Sequence, residues 1–135
     1  MIRIKLTSVL VDDQQKAKAF YTEKLGFAIK RDIPFGNGAS WLTVTAADEP
    51  DGTELLLEPV HGVAEAVTFQ KALFAAGIPL TAFGVDDIHA EYARLSLLGV
   101  EFRGSPTKPA SGPTTVALND TCGNYIQLFQ IDEAN

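Results

Sequence analysis

The chain holds a single cysteine, Cys122, and only two histidines, His61 and His89, among its 135 residues. One cysteine makes neither an intrachain disulfide nor a cysteine-based metal cage, so a reducing cytoplasm is the expected location. Basic residues are also scarce: 11 Lys and Arg stand against 17 Asp and Glu, a net charge of -6. Broad contact with a phosphate backbone needs the opposite sign, so nucleic acid is not an expected partner. No apolar run approaches the ~18 residues of a membrane span. The N-terminal MIRIKLTSVLVDD lacks a long apolar segment followed by a small-residue cleavage site, so a signal peptide is not expected either. What is present is ordinary globular composition, with 46% hydrophobic and 21% charged residues. The length suits one domain, or two half-size modules sharing a core. An acidic balance would suit a cationic small ligand, and it equally suits a soluble surface.

The chain repeats itself. LTSVLVDD at 6–13 and LTAFGVDD at 80–87 agree at five of eight positions with an offset of 74. Further along, Leu25-Gly26-Phe27 answers Leu98-Gly99-Val100 at an offset of 73. Each copy has one local logic. Ile2, Ile4, Leu6, Val9 and Val11 alternate as a strand, and Asp12 or Asp13 then places a carboxylate at a helix N-terminus. Ala17, Phe20, Tyr21 and Leu25 share a helical face, closed by Gly26. In the second copy Leu80 to Val85 is the strand, Asp86 or Asp87 the cap, Ile88, Tyr92, Leu95 and Leu98 the apolar face, and Gly99 the stop. Helix capping accounts for both Asp-Asp pairs without a catalytic role.

Three strand-like stretches follow each helix. In the first half they are Phe27 to Ile33, Ser40 to Thr45 and Thr53 to Glu58, parted by Gly36-Asn37-Gly38 and Glu49-Pro50-Asp51-Gly52. In the second half they are Val100 to Arg103, Thr114 to Leu118 and Asn124 to Ile131, broken by the Pro/Gly/Ser-rich stretch 104–113 and the turn Asn119 to Gly123. Ala64 to Ala76 reads as a helix through Phe69, Ala72, Leu73 and Ala76, ended by Gly77 and Pro79. The expected fold is therefore α+β, with two tandem βαβββ modules forming a curved mixed sheet around a cleft. Module one is 1–62, the linking helix 63–77 and module two 78–135, together a single domain.

With these residues the architecture resembles the vicinal oxygen chelate superfamily, which joins glyoxalases, bleomycin-resistance proteins and ring-cleaving dioxygenases. The carriers are VDDQQKAKAFYTEKLGF at 11–27, GIPLTAFGVDDI at 77–88 and DTCGNYIQLFQ at 120–130. The resemblance covers nearly the whole chain. Fold alone does not give function. Enzymes of this superfamily place a pair of metal ligands, usually His and Glu, on the first and last strands of each module. A divalent ion with positions open to substrate oxygens wants such N and O donors. The resemblance puts the opening-strand positions at Leu6 and Leu80, which donate nothing. The closing-strand positions fall at Gln127 and at Leu56, or at Glu58 one pleat further on. His61 and His89 lie near none of them. An oxygen-only site around Glu58, Gln127 and Glu54 would suit magnesium but is short of carboxylates. No cofactor is expected, and no catalytic residue is assigned. Cys122, in a turn without a neighbouring His or Lys, reads as structural.

Strand parity gathers Leu6, Ser8, Leu56, Glu58, Leu80, Ala82, Tyr125, Gln127 and Phe129 on the inner faces, with Trp41 and Thr43 together on the third strand. Phe69 and Phe74 of the linking helix are candidates to cover the opening. The ligand-binding set is Ser8, Trp41, Thr43, Glu58, Tyr125, Gln127 and Phe129, mostly apolar with a few polar groups, as suits an organic ligand. The expected function is a metal-free protein that sequesters a small organic molecule, for which the acidic balance admits a cationic aromatic one. The alternative is a divalent-metal-dependent lyase, isomerase or dioxygenase of the same superfamily. A homodimer is the assembly that the resemblance implies.

Overall fold

The computed structural model describes residues 1–132, so the last three residues of module two (78–135) lie outside the described ones. It divides into two compact units, 1–70 and 71–135. Each carries a four-stranded mixed sheet with a helix after its first strand, so the α+β class and the tandem modules are as the repeat implied.

In the first unit, β1 (Leu6–Val11) pairs in parallel with β4 (Glu54–Pro59), while β2 (Ala28–Pro34) and β3 (Ser40–Thr45) complete the order β1-β4-β3-β2. The expected strand at Ile2 and Ile4 is not formed. β4 begins only at Glu54, after the turn at 49–52, so its ladder with β1 starts at Leu6. The last links are Glu54 N–H to the Lys5 carbonyl and Thr53 Oγ1 to the Ile4 carbonyl, and Ile2 and Ile4 are exposed.

The helix after β1 starts as α1 (Gln14–Ala19) and continues as a π-helical turn, Phe20–Lys24. Asp13 rather than Asp12 caps it, accepting from Lys16 N–H at 3.0 Å. The π turn explains the change of offset along the repeat. From Asp13 to Gly26 the first copy has one residue more than Asp87 to Gly99, and a π turn absorbs one extra residue without unwinding the helix. Leu25 N–H bonds the Phe20 carbonyl across that turn. Ala17, Phe20 and Tyr21 are buried, as are Val9, Val11, Leu42, Val44, Leu55 and Leu57 on one sheet face. Gln14 ties the helix to the sheet: Nε2 donates to the carbonyls of Ser40 and Leu57, both at 2.8 Å, and Oε1 accepts from Ser40 N–H at 2.9 Å.

The second unit repeats this plan as β5-β8-β7-β6, with β5 (Thr81–Val85) parallel to β8 (Tyr125–Gln130). α3 (Ile88–Leu97) is capped by Asp87, which accepts from Ala90 N–H at 3.1 Å. β7 (Thr115–Asn119) lies where expected. β6 (Phe102–Thr107) runs on into the stretch read as a break. The continuation is allowed because β6 is an edge strand with a register shift between Arg103 and Thr107, and there Gly104 adopts φ +85° and Pro106 needs no ladder partner. Ile88, Leu95, Val116, Leu118, Ile126 and Leu128 are buried. Asp120 is wholly buried and accepts from Cys122 N–H, Asn124 N–H and Asn124 Nδ2, which holds the turn before β8.

α2 (Ala64–Ala76) covers the residues expected of the linking helix. Its buried position is Gln70, which donates to the Leu10 carbonyl at 3.0 Å, whereas Phe69 is 52% exposed. The apolar face read through Phe69 is thus shifted by about one residue, to the side on which Gln70 reaches the Leu10 carbonyl. Gly77 closes the helix in a left-handed turn, with Gly77 N–H on the Phe74 carbonyl and Ile78 N–H on the Leu73 carbonyl. Among the described residues no helix is long and apolar enough to cross a membrane.

Candidate functional site

Strand register defines which side chains share the sheet face turned away from the buried set. In the first unit Leu6 lies opposite Glu54, Ser8 opposite Leu56 and Leu10 opposite Glu58. Leu56 is opposite Thr43, which is opposite Arg31, and Trp41 is opposite Ile33. Ser8, Trp41, Thr43 and Glu58 of the candidate set are therefore on one face of one sheet. Ser8 is exposed, Trp41 and Glu58 are half-buried, and Thr43 is fully buried.

A polar cluster crosses this face. Glu54 Oε1 accepts from Thr43 Oγ1 at 2.7 Å and from Arg31 Nε at 3.2 Å. The Thr43 hydrogen bond, reinforced by the Arg31 charge, holds the Glu54 carboxyl below its ordinary value. Sequence reading placed Thr43 and Glu54 only loosely and missed Arg31. The bulge between Ile29 and Arg31 is what brings Arg31 onto this face, and alternation alone does not predict a bulge.

In the second unit Leu80 N–H bonds the Tyr125 carbonyl, Ala82 lies opposite Gln127, and Gly84 opposite Phe129. Ala117 is opposite Gln127 on one side and Arg103 on the other. Tyr125, Gln127 and Phe129 are half-buried on this face. Phe74 stacks on Tyr125, with ring centroids 4.4 Å apart and planes 2° apart. The Arg103 guanidinium carbon lies 4.9 Å from the Tyr125 centroid, and its Nη1 donates to the Gly77 carbonyl at 3.0 Å. Phe74 was a candidate from its place on the linking helix, while Arg103 was not. Its signal was in the repeat: an arginine follows the helix-ending glycine by five residues in one copy, Arg31, and by four in the other, Arg103.

Superposing the two registers equates Leu6 with Leu80, Glu54 with Tyr125, Leu56 with Gln127, Glu58 with Phe129, and Arg31 with Arg103. Leu56, not Glu58, is thus the register mate of Gln127. The positions that the resemblance marks for metal ligands hold three leucines and one amide. Glu54, a carboxylate on the same strand as Leu56, is engaged by Thr43 and Arg31. Among the described residues no group of three or more His, Cys, Asp and Glu is placed to hold a metal ion. His61 and His89 are exposed, and Cys122 is buried. The donor set does not fit a conventional divalent-metal centre.

The match to a family model extends over residues 3–128, and the chain belongs to the Glyoxalase/Bleomycin resistance protein/Dioxygenase superfamily. It is 50% identical to the Bacillus subtilis (strain 168) protein YurT over 130 residues, 96% of this chain and 99% of that one. Among solved structures, UcmS2 is 34% identical with a TM-score of 0.80, covering 96% of this chain and 98% of its own. TnmS3, an antibiotic binding protein from Streptomyces sp. CB03234, is 31% identical with a TM-score of 0.71, covering 96% of each.

Proposed function

We propose that the protein binds and sequesters a small organic molecule, without a metal, on a sheet face of a module, the face that carries Ser8, Trp41, Thr43 and Glu58 in the first and Tyr125, Gln127 and Phe129 in the second. The observation that carries this reading is the leucine, leucine, leucine and amide at Leu6, Leu80, Leu56 and Gln127. A lyase, isomerase or dioxygenase of the superfamily needs ionic or imidazole donors there, and aliphatic side chains instead favour contact with an apolar ligand. In the first module the half-buried ring of Trp41 supplies area for a flat ligand, with Ser8 and Glu58 to orient it; in the second Tyr125 and Phe129 supply the area and Gln127 the hydrogen bond. The similarity to TnmS3 supports the same class of function. A homodimer is the proposed working assembly. The edge strand β2 supports it, being exposed along its length with Ile29, Ile33 and the adjoining Phe35 uncovered.

Thermal melting with a panel of aromatic antibiotics and thiol conjugates, run in chelator, tests the reading. A true ligand raises the melting temperature with concentration, by about 2.7 kcal/mol of stabilisation at a hundredfold excess over Kd. Trp41→Ala and Gln127→Ala should each shrink that shift. A panel that binds only after metal is added back overturns the metal-free reading.

A further inference from the structure

The two modules place an arginine at equivalent positions but give it different company. Arg31 is neutralised by Glu54. In the second module the equivalent of Glu54 is Tyr125, so Arg103 faces an aromatic ring rather than a carboxylate. Among the described residues Arg103 forms no ion pair, and Glu101, two residues earlier on the chain, does not reach it. Among the described residues its hydrogen bond is to the Gly77 carbonyl, and its other N–H groups find no acceptor there. Arg103 is exposed while the rings of Phe74 and Tyr125 are half-buried. Beside this cluster Gln127 adds an amide and Ala82 adds little bulk, while the side chains of Ile131 and Phe129 lie over Gly84 and make that part of the face apolar.

We propose that Phe74, Tyr125 and Arg103 form a subsite for a planar aromatic ligand bearing an acidic group, a carboxylate or an ionised ring hydroxyl, with Arg103 as its counter-ion. The proposal rests on the organic-ligand reading above and specifies its charge. Net charge of -6 would favour a cation, but charge acts locally at contact distance, and salt screens surface charges beyond ~10 Å. Glu101, opposite Asn119, forms no ion pair with Arg103 among the described residues, and against the Phe74–Tyr125 ring pair the ionised group is the guanidinium. Its planar fork matches a carboxylate edge, and its contact with Tyr125 orients the fork while leaving donors free. The guanidinium packs directly over Gly77, where a Cβ would lie 2.0 Å from Nη1.

The test is calorimetric titration of the full chain with three ring probes of one size: 2-naphthoate, 2-naphthalenemethanol and 2-naphthylmethylammonium. Naphthoate is expected to bind about tenfold tighter than the alcohol, and the ammonium weaker than either. Arg103→Gln should remove the naphthoate advantage, so that naphthoate and the alcohol bind that variant with about equal affinity. Arg103→Lys should restore part of it. Tyr125→Leu should weaken all three probes. Equal binding of the three, or an unaltered naphthoate affinity in Arg103→Gln, overturns the charge assignment while the organic-ligand reading stands. Failure of all three to bind overturns this aromatic subsite, and the antibiotic and conjugate panel then decides the broader reading separately.

Discussion

The two modules have one topology and two chemistries. Parallel first and last strands, an aspartate-capped helix and a glycine stop recur in both. The junction of helix and sheet is nonetheless tied from opposite sides. In the first module the first helical residue, Gln14, reaches the strands through Leu57 and Ser40. In the second that position is the buried apolar Ile88, and Gln130 at the end of β8 reaches back, accepting from Ile88 N–H at 2.8 Å and donating to the Asp86 carbonyl. The far faces differ in the same spirit: an arginine closed by a carboxylate in one module, an arginine resting against a ring in the other. The backbone pattern is what the repeat preserves, and the side chains that complete it have been free to change.

That comparison can be broken most severely in the core. Leu57 and Leu128 are register mates, both essentially buried, so Leu57→Ala and Leu128→Ala should each cost about 3 kcal/mol in denaturant unfolding. A difference between them far beyond ~1 kcal/mol would mean that the modules are not equivalent frames. Next comes the junction. Gln14→Ala should cost about 2 kcal/mol, because it strips partners from the buried Leu57 carbonyl and from Ser40. A loss below ~0.5 kcal/mol would show that water replaces the glutamine without penalty. The caps are smaller and symmetric: Asp13→Ala and Asp87→Ala should each cost about 1 kcal/mol, whereas Asp12→Ala and Asp86→Ala should cost much less.

The smallest effect is one of pH. The Glu54 carboxyl is held below its ordinary value of 4.5 by Thr43 and then by Arg31. The unfolded chain therefore binds the proton more readily, and the stabilisation is present above pH 4.5 and lost as pH falls through the lower folded value. Glu54→Gln should flatten this acid limb of the stability curve. Tyr125→Phe, at the equivalent position, should leave it unchanged. Equal acid limbs in the parent and Glu54→Gln would remove the cluster from the account.

Much of this architecture could be read from residue order. The repeat, the capping aspartates, the terminal glycines and the span of the linking helix all follow from local rules, and the structure bears them out. Parity alone also placed Leu6, Ser8 and Leu56 together, and Ala82 with Gln127. What local rules could not supply were events that break a period. The π turn at Phe20–Lys24, the bulge before Arg31 and the irregular edge strand through Gly104 and Pro106 each shift the side chains that follow. Arg31 follows such a break, so alternation alone does not bring it to its face, whereas Arg103 precedes its break and keeps regular register with Ala117. Ile2 and Ile4 erred the other way: alternation was present, but a strand also needs a partner backbone.

The central claim is that an organic ligand binds with no metal at the donor-poor strand positions. Its most direct measurement is elemental analysis of the purified protein, coupled to titration of a confirmed ligand before and after exhaustive chelation. The account predicts well under ~0.1 equivalent of Zn, Ni, Fe or Mn per chain and an unchanged Kd after chelation, because Leu6, Leu80, Leu56 and Gln127 offer too few donors for tight divalent binding. Near one equivalent of metal per chain, with ligand affinity lost on chelation and regained on its return, would contradict it.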